Sequence, residues 1–169
     1  LLEKEWPTAD SELNFENEYQ LLVAVMLSAQ CTDKRVNMVT PALFAAYPTI
    51  ADLAQSNVET VLGYIRSVSY PNSKATHLVE MAKRVIEVYD GVIPDTREEL
   101  QTLAGVGRKT ANVVCAVWWN QPTMAVDTHI FRVAERIGLT THAKNPLQSE
   151  QQLIKHIPED IIPRAHHWL

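Results

Sequence analysis

A lysine and a carboxylate in the second half of the chain, Lys109 and Asp127, have the residue types that nucleophilic catalysis requires. A neutral lysine amine attacks electrophilic carbon and forms a Schiff base, but a lysine in water, with a pKa of about 10.4, is almost fully protonated. Lys109 lies in the first turn of a predicted helix, where the positive end of the helix dipole disfavours an ammonium. Asp127 is able to accept a proton or to stabilise a developing positive charge.

Both residues also have ordinary structural explanations. A lysine within the sequence RKT is usually a solvated surface charge. Asp127 precedes THIFRV and is therefore a candidate N-cap, which contributes about 1 kcal/mol to a helix. The residue types alone leave the catalytic and the structural interpretations open.

The turn before Lys109 has the sequence LAGVGRKTANVV, with Gly105 and Gly107 between two predicted helices. Glycine adopts positive φ and lets the backbone approach a ligand closely, and the amides at a helix N-terminus attract anions. The pattern therefore favours the binding of one phosphate by backbone amides. The alternative interpretation is a turn between two helices that binds no ligand. The predicted contacts are Gly105, Val106, Gly107, Arg108 and Thr110.

Helical patterns recur along the chain and strand patterns are scarce, so we predict an all-α fold of about ten short helices. The sequence EYQLLVAVMLSA at residues 18–29 is apolar nearly all round, as expected of a buried helix. Pro41 is expected to bend or interrupt the next helix. Pro71 is expected to break the chain between residues 69 and 73, before a helix over residues 74–88.

Length and composition limit the class of protein. The chain has 169 residues, 46% of them hydrophobic, enough for one sizeable core or two small helical lobes packed together. Its two cysteines, Cys31 and Cys115, lack CxxC spacing, which argues against a disulfide framework and favours a cytoplasmic setting. The longest mostly apolar run, residues 21–29, is too short to span a membrane. We expect a monomer that is not bound to a membrane.

The charge distribution neither selects nor excludes a nucleic-acid partner. The formal net charge is −5, which is not typical of a strong non-specific DNA binder. Residues 1–18 contain six acidic residues and one lysine, leaving 14 acidic and 14 basic residues in the rest of the chain. A neutral body that grips phosphate through backbone amides still allows DNA to bind.

Several motifs together resemble one family of DNA-repair proteins. LAGVGRKTANVV followed by AVDTHIFRV is similar to the helix-hairpin-helix DNA glycosylase superfamily, specifically the endonuclease III family. LLVAVMLSAQCTD at residues 21–33, NSKA at 72–75 and HHWL at 166–169 resemble the same family in the same order. The resemblance covers about residues 13–169.

The resemblance implies a fold of two helical lobes with double-stranded DNA bound in the cleft between them. Residues 20–131 would form a six-helix barrel that contains the hairpin at residues 98–119. Residues 1–19 and 132–169 would form the second lobe.

The resemblance also implies a reaction. Proteins of this family remove oxidised pyrimidines from duplex DNA during base excision repair and then cleave the strand at the abasic site. Lys109 would form the Schiff base and Asp127 would assist it; related adenine-specific glycosylases lack the lysine. The alternatives are a non-catalytic helix-hairpin-helix module that only binds the DNA backbone, and a monofunctional glycosylase for another lesion.

Extruding a base from a duplex leaves a space that side chains must fill. By resemblance, Gln30 would insert beside the orphaned base. Tyr70 stands where the family typically has a glycine and a bulky apolar residue, and it either stacks on neighbouring bases or packs inward. His129 either lines the base pocket or satisfies a backbone carbonyl at a helix start.

Members of the family usually continue beyond HHWL into a loop whose four cysteines ligate a 4Fe-4S cluster. Here the sequence stops at Leu169, and the two cysteines lie far apart. We therefore assign no metal ligands, and we expect a truncated chain whose intact form carries the cluster.

Overall fold

A computed structural model describes residues 11–168 except the side chain of His166. Residues 1–10 and 169, with part of the HHWL motif, lie outside the described residues. The described part of the chain forms ten α-helices and one 3-10 helix and contains no strand, which confirms the all-α class. The α-helices are α1 Glu18–Ser28, α2 Asp33–Ala46, α3 Ile50–Gln55, α4 Val58–Ile65, α5 Pro71–Tyr89, α6 Arg97–Leu100, α7 Arg108–Trp119, α8 Thr128–Arg136, α9 Pro146–His156 and α10 Ile162–Trp168; the 3-10 helix is Glu159–Ile161.

Helix α1 is the buried helix that its apolar sequence predicts. It begins after Asn17, whose side chain accepts a hydrogen bond from the amide of Gln20 at 2.9 Å. Every residue from Leu21 to Leu27 is at most 6% exposed. Burying a leucine or valine side chain contributes about 1.5–3 kcal/mol, so α1 is a principal source of stability for the unit that contains it.

Pro41 does not interrupt its helix, and Pro71 does not lie in a break before the next predicted helix. Helix α2 continues through Pro41, which is exposed, while Val39, Thr40 and Leu43 around it are buried and hold the helix in place. Helix α5 begins at Pro71, three residues earlier than predicted. Proline suits the first position of a helix because its missing N–H has no intrahelical partner there.

The described residues divide into two units. Residues 12–111 form the first unit, in which α3 and α4 pack mainly against the 19-residue helix α5. Residues 112–168 with Ser11 form the second unit. Its core consists of Met124, Val126, Ile130, Ala134, Leu153, Ile162 and Ala165. The lobes expected at residues 20–131 and at 1–19 with 132–169 stay a prediction.

Within residues 11–168, none of the helices combines the length and the apolar character needed to cross a bilayer. Neither Cys31 nor Cys115 forms a disulfide.

Candidate functional site

The glycine turn joins α6 to α7 and presents its backbone at the surface. Within the turn, the amide of Val106 donates to the carbonyl of Leu103 at 3.2 Å. The amide of Ala111 donates to the carbonyl of Gly107 at 3.0 Å, so Gly107 is the N-cap residue immediately before α7. The Val106 side chain is 6% exposed and anchors the turn from inside. Gly105 and Gly107, on either side of it, are exposed.

The two glycines of the turn have different reasons to be glycine. Gly105 has a φ of +74°, and an added Cβ would lie 2.8 Å from the Cβ of His77. Both its backbone conformation and its packing therefore require glycine. Gly107 is not among the residues with positive φ, and an added Cβ would meet nothing within 4 Å. The packing within the protein gives no reason for glycine at Gly107.

Lys109 is the second residue of α7 and is exposed. Within the first unit it lies close enough to Asp33 to influence that carboxyl group. Burial and then the charge of Glu12 raise the pKa of Asp33, whereas the charge of Lys109 lowers it. Asp33 is therefore a charged neighbour of Lys109. The sequence did not predict this proximity, although Asp33 is the last residue of the LLVAVMLSAQCTD motif.

Arg108 starts α7 beside the acidic residues of α6. The pKa of Glu98 lies below its usual range, first because Arg97 donates a hydrogen bond to it and to a smaller extent because Arg108 is nearby. The distance from Arg97 Nη2 to Glu98 Oε1 is 2.7 Å. Arg97 is therefore the main partner of Glu98, and Arg108 adds its own positive charge to the start of α7.

Asp127 is the N-cap of α8, as one of its two interpretations predicts. Its Oδ1 accepts hydrogen bonds from the amides of His129 at 2.9 Å and Ile130 at 2.8 Å. These bonds and the positive end of the α8 dipole favour the ionised carboxylate. The cap fixes the orientation of the group, which any chemical use of the same carboxylate also requires.

The segment before Asp127 is tied to α7 by one buried side chain. Asn112 is 1% exposed, and its Nδ2 donates to the carbonyl of Met124 at 3.0 Å. The hydroxyl of Thr123 donates to the carbonyl of Asn112 at 2.7 Å. Within the second unit, Asn112 therefore holds the segment that leads to the candidate carboxylate.

The turns that carry Gln30 and Tyr70 lie side by side in the first unit. The hydroxyl of Ser69 donates to the carbonyl of Gln30 at 2.7 Å. Tyr70 is 67% exposed, so it does not pack inward as one of its interpretations had it. Gln30 is exposed as well. The structure therefore brings these two sequence-predicted residues together on one surface of the unit.

His129 and Thr110 are the remaining predicted contact residues. His129 is exposed near the start of α8, and it lines a surface pocket together with Arg132, Val133, Glu135 and Arg136. Thr110 is half-buried in the first turn of α7. His129 therefore lies in surroundings that combine two arginines with one glutamate.

Comparisons with known proteins agree on one family. Residues 23–159 match the family described as HhH-GPD superfamily base excision DNA repair protein. The chain is 44% identical over 169 residues to endonuclease III of Rickettsia felis, covering all of this chain and 79% of that protein. It is 42% identical over 163 residues to endonuclease III of Escherichia coli strain K12, covering 96% of this chain and 77% of that protein.

A solved structure extends the similarity to three dimensions. It contains a trapped covalent intermediate of endonuclease III with DNA, described as an estranged-adenine complex. The TM-score is 0.94 at 41% sequence identity, over 99% of this chain and 78% of that one.

Proposed function

The chain belongs to the endonuclease III family within the HhH-GPD superfamily of base excision DNA repair proteins, and from this membership we propose how its residues act on DNA. It is a DNA glycosylase. We propose that it also cleaves the strand at the abasic site, by a Schiff base on Lys109. Its proposed substrate is duplex DNA that contains oxidised pyrimidines.

The observation that carries the DNA-binding part of the proposal is Gly107. A Cβ added at Gly107 would meet nothing within 4 Å, and the φ of Gly107 is not positive. Serine, asparagine and aspartate are more favourable than glycine at the N-cap of a helix. A glycine at this exposed position is explained when a ligand, here a DNA phosphate, must approach the backbone closely. Arg108 would add a formal positive charge to this contact.

The proposed reaction starts with the neutral Nζ of Lys109. The amine attacks C1′ of the deoxyribose, the bond from C1′ to the base breaks, and the departing base takes the electron pair and a proton. The sugar ring opens to leave an iminium, which is the Schiff base. Loss of a proton from C2′ then expels the 3′ phosphate by β-elimination and cuts the strand.

We propose that Asp127 supplies the negative charge that this reaction needs. A carboxylate is able to accept a proton from the amine and to stabilise positive charge on the sugar as the base leaves. The two amides that bond to Oδ1 favour the charged carboxylate and hold it in one orientation. The N-cap geometry therefore supports a chemical role as well as a structural one.

The remaining residues are proposed as DNA contacts. Gln30 and Tyr70 would fill the space that the extruded nucleotide leaves, and their exposure on adjacent turns supports this role. His129 would line the pocket for the extruded base. The backbone of Thr110 would join the phosphate grip of the glycine turn.

The iron–sulfur cluster that the resemblance implies does not fit the residues of this chain. A four-cysteine site needs four thiolates, and the sequence has two cysteines. Among residues 11–168, no group of three or more His, Cys, Asp or Glu side chains is arranged to hold a metal ion. No step of the proposed reaction uses a metal.

Borohydride trapping tests the proposal directly. The protein is incubated with a duplex that contains one oxidised pyrimidine and then with borohydride, which reduces a Schiff base to a stable protein–DNA adduct. We expect an adduct with the unaltered protein and with Lys83→Ala, a change at an exposed lysine of α5, and none with Lys109→Ala. Undiminished trapping in Lys109→Ala would place the nucleophile elsewhere.

The same duplexes separate the other functions. Release of the base without strand cleavage or trapping identifies a monofunctional glycosylase. Binding with no base release from any lesion in a panel of single-lesion duplexes identifies a non-catalytic module.

A further inference from the structure

The two turns that carry Gln30 and Tyr70 share an unusual backbone conformation. Both residues are in the left-handed region, with φ of 54° and 53°, although neither is glycine. A side chain makes this conformation unfavourable by about 1–2 kcal/mol per residue. Such residues persist only where the surrounding structure holds them, so something must fix each of these turns.

Lys74 holds the first of these turns from a distant part of the sequence. It is 8% exposed, and its Nζ donates to the carbonyls of Leu27 and Ala29, both at 2.7 Å. These carbonyls lie at the end of α1, immediately before Gln30, where helical carbonyls lack intrahelical partners and the helix dipole is negative. Burial lowers the pKa of Lys74, and the two carbonyls accept the hydrogen bonds that its buried Nζ donates.

The same lysine also holds the second turn. Its backbone amide donates to the carbonyl of Tyr70 at 3.1 Å, in the first hydrogen bond of α5. The hydroxyl of Ser69 completes the connection by donating to the carbonyl of Gln30 at 2.7 Å. Lys74 and Ser69 therefore join the Gln30 turn to the Tyr70 turn by hydrogen bonds that all end on backbone carbonyls.

We propose that Lys74, together with Ser69, is a positioning residue that fixes Gln30 and Tyr70 as one rigid wedge before DNA binds. This inference rests on the proposed function, in which these two side chains fill the space left by the extruded nucleotide.

The arrangement suits this task for two reasons. Turns whose backbone is already fixed lose less conformational entropy on binding DNA, which leaves more binding energy for extruding the nucleotide. A rearrangement of either turn would leave a buried ammonium or buried carbonyls without partners, which is strongly unfavourable. The wedge therefore keeps its shape while the DNA deforms around it.

The test uses Lys74→Met, which keeps the length of the side chain without its donors, and Ser69→Ala. The matched controls are Lys83→Met, at an exposed lysine of the same helix, and Ser67→Ala, at an exposed serine just before Ser69. Ser69→Thr retains a hydroxyl and should rescue. Circular dichroism and thermal melting establish that each variant is folded at the assay temperature.

Insertion of the wedge is measured separately from chemistry. The probe is a duplex that contains a tetrahydrofuran abasic analogue opposite 2-aminopurine, whose fluorescence reports whether protein side chains contact the orphaned base. Single-turnover excision from a duplex with one oxidised pyrimidine gives the rate. We expect folded Lys74→Met to lose the fluorescence change and to excise roughly 10- to 100-fold more slowly, as small misplacements of positioned groups do. Ser69→Ala should reduce the fluorescence change and the excision rate as well. Ser69→Thr, Lys83→Met and Ser67→Ala should behave like the unaltered protein.

A folded Lys74→Met with an unchanged fluorescence signal and excision rate overturns the inference. Lowered thermal stability alone, with both readouts unchanged, shows a purely structural lysine and also overturns it. If Lys74→Met does not fold, the comparison of Ser69→Ala with Ser69→Thr decides, and equal readouts for these two variants count against the wedge. Failure of the unaltered protein to excise any base would instead overturn the proposed function.

Discussion

Asp127 illustrates how one side chain serves structure and chemistry at the same atom. Its Oδ1 caps α8 through two amide hydrogen bonds, and the proposed reaction uses the negative charge on the same carboxylate. An N-cap needs only an acceptor oxygen, whereas the reaction needs an ion. Asparagine and alanine therefore separate the two roles, because asparagine keeps the acceptor and loses the charge.

We predict that Asp127→Asn lowers single-turnover excision by roughly 100-fold or more, as loss of a group that assists by acid–base catalysis does, with thermal stability close to that of the unaltered protein. Asp127→Ala should lose the activity and also about 1 kcal/mol of stability, because the cap is gone. Thermal melts and excision rates measured in parallel check both effects. Equal excision by Asp127→Asn and the unaltered protein would remove the carboxylate from the mechanism.

Asp33, near Lys109, gives a prediction on pH. Burial, with a smaller contribution from Glu12, raises the pKa of this carboxyl in the folded protein. The folded state therefore binds more protons than the unfolded state between the usual pKa and the raised one, and stability falls as the pH rises through that window. Asp33→Asn removes the ionisation, so the variant should be more stable than the unaltered protein at pH 7, by an amount that shrinks as the pH falls towards 4. Melting temperatures across this range check it; an advantage that grows towards acid contradicts the assignment.

At the scale of elements, the hairpin depends on two glycines for different reasons. Gly105 is required by a φ of +74° and by contact with His77. Gly107 has no positive φ and an added Cβ would meet nothing within 4 Å, so neither strain nor packing requires glycine there, whereas a closely approaching phosphate would. Each substitution is therefore the control for the other.

We predict that Gly105→Ala destabilises the protein by roughly 2 kcal/mol, because the added methyl group strains the backbone and collides with His77. Gly107→Ala should change stability by less than about 1 kcal/mol. It should nevertheless weaken binding to a duplex with an abasic analogue, because the methyl group holds the phosphate away from the amides. Chemical denaturation and a binding titration measure the two effects. Unchanged affinity of Gly107→Ala would exclude the phosphate grip at this residue.

Local features of the elements could be predicted from the sequence, and contacts over long sequence distances could not. Asp127 was expected as an N-cap, and its side chain accepts hydrogen bonds from the amides two and three residues later. The early start of α5 was missed because Pro71 was interpreted as a breaker, although proline also begins helices. The bonds from Lys74 to Leu27 and Ala29 join residues 45 to 47 positions apart, and no local pattern indicates such a pairing.

In the candidate site, too, local features could be predicted and long-range contacts could not. Lys109 and Asp127 were found because each lies in a recognisable motif next to a helix start. The proximity of Asp33 to Lys109 was not found, since it depends on how α2 and the first turn of α7 are placed in the first unit. The exposure of Tyr70 was left open by the sequence, because an aromatic residue before a proline is compatible with either orientation.

At the scale of the whole molecule, a net charge of −5 must be reconciled with a DNA partner. Most affinity for DNA normally comes from lysine and arginine side chains that displace counterions from phosphates. A grip made of backbone amides contributes no formal charge, and its contribution to affinity is therefore less sensitive to salt.

We predict that Arg108→Ala reduces the slope of log affinity against log salt concentration by about 0.9, the value for one lost phosphate contact. Lys83→Ala, at an exposed lysine on α5, should leave the slope unchanged. Binding titrations of an abasic-analogue duplex at several salt concentrations give both slopes. An unchanged slope for Arg108→Ala contradicts a phosphate contact by that side chain.

The identity of the nucleophile is tested most directly by locating the covalent bond. The protein is trapped with borohydride on a duplex that contains one oxidised pyrimidine, digested with protease and nuclease, and the modified peptide is sequenced by mass spectrometry. A sugar remnant on the Nζ of Lys109 is the expected result. A remnant on any other lysine, or on the N-terminal amine, would contradict the assignment of Lys109 as the residue that attacks the deoxyribose.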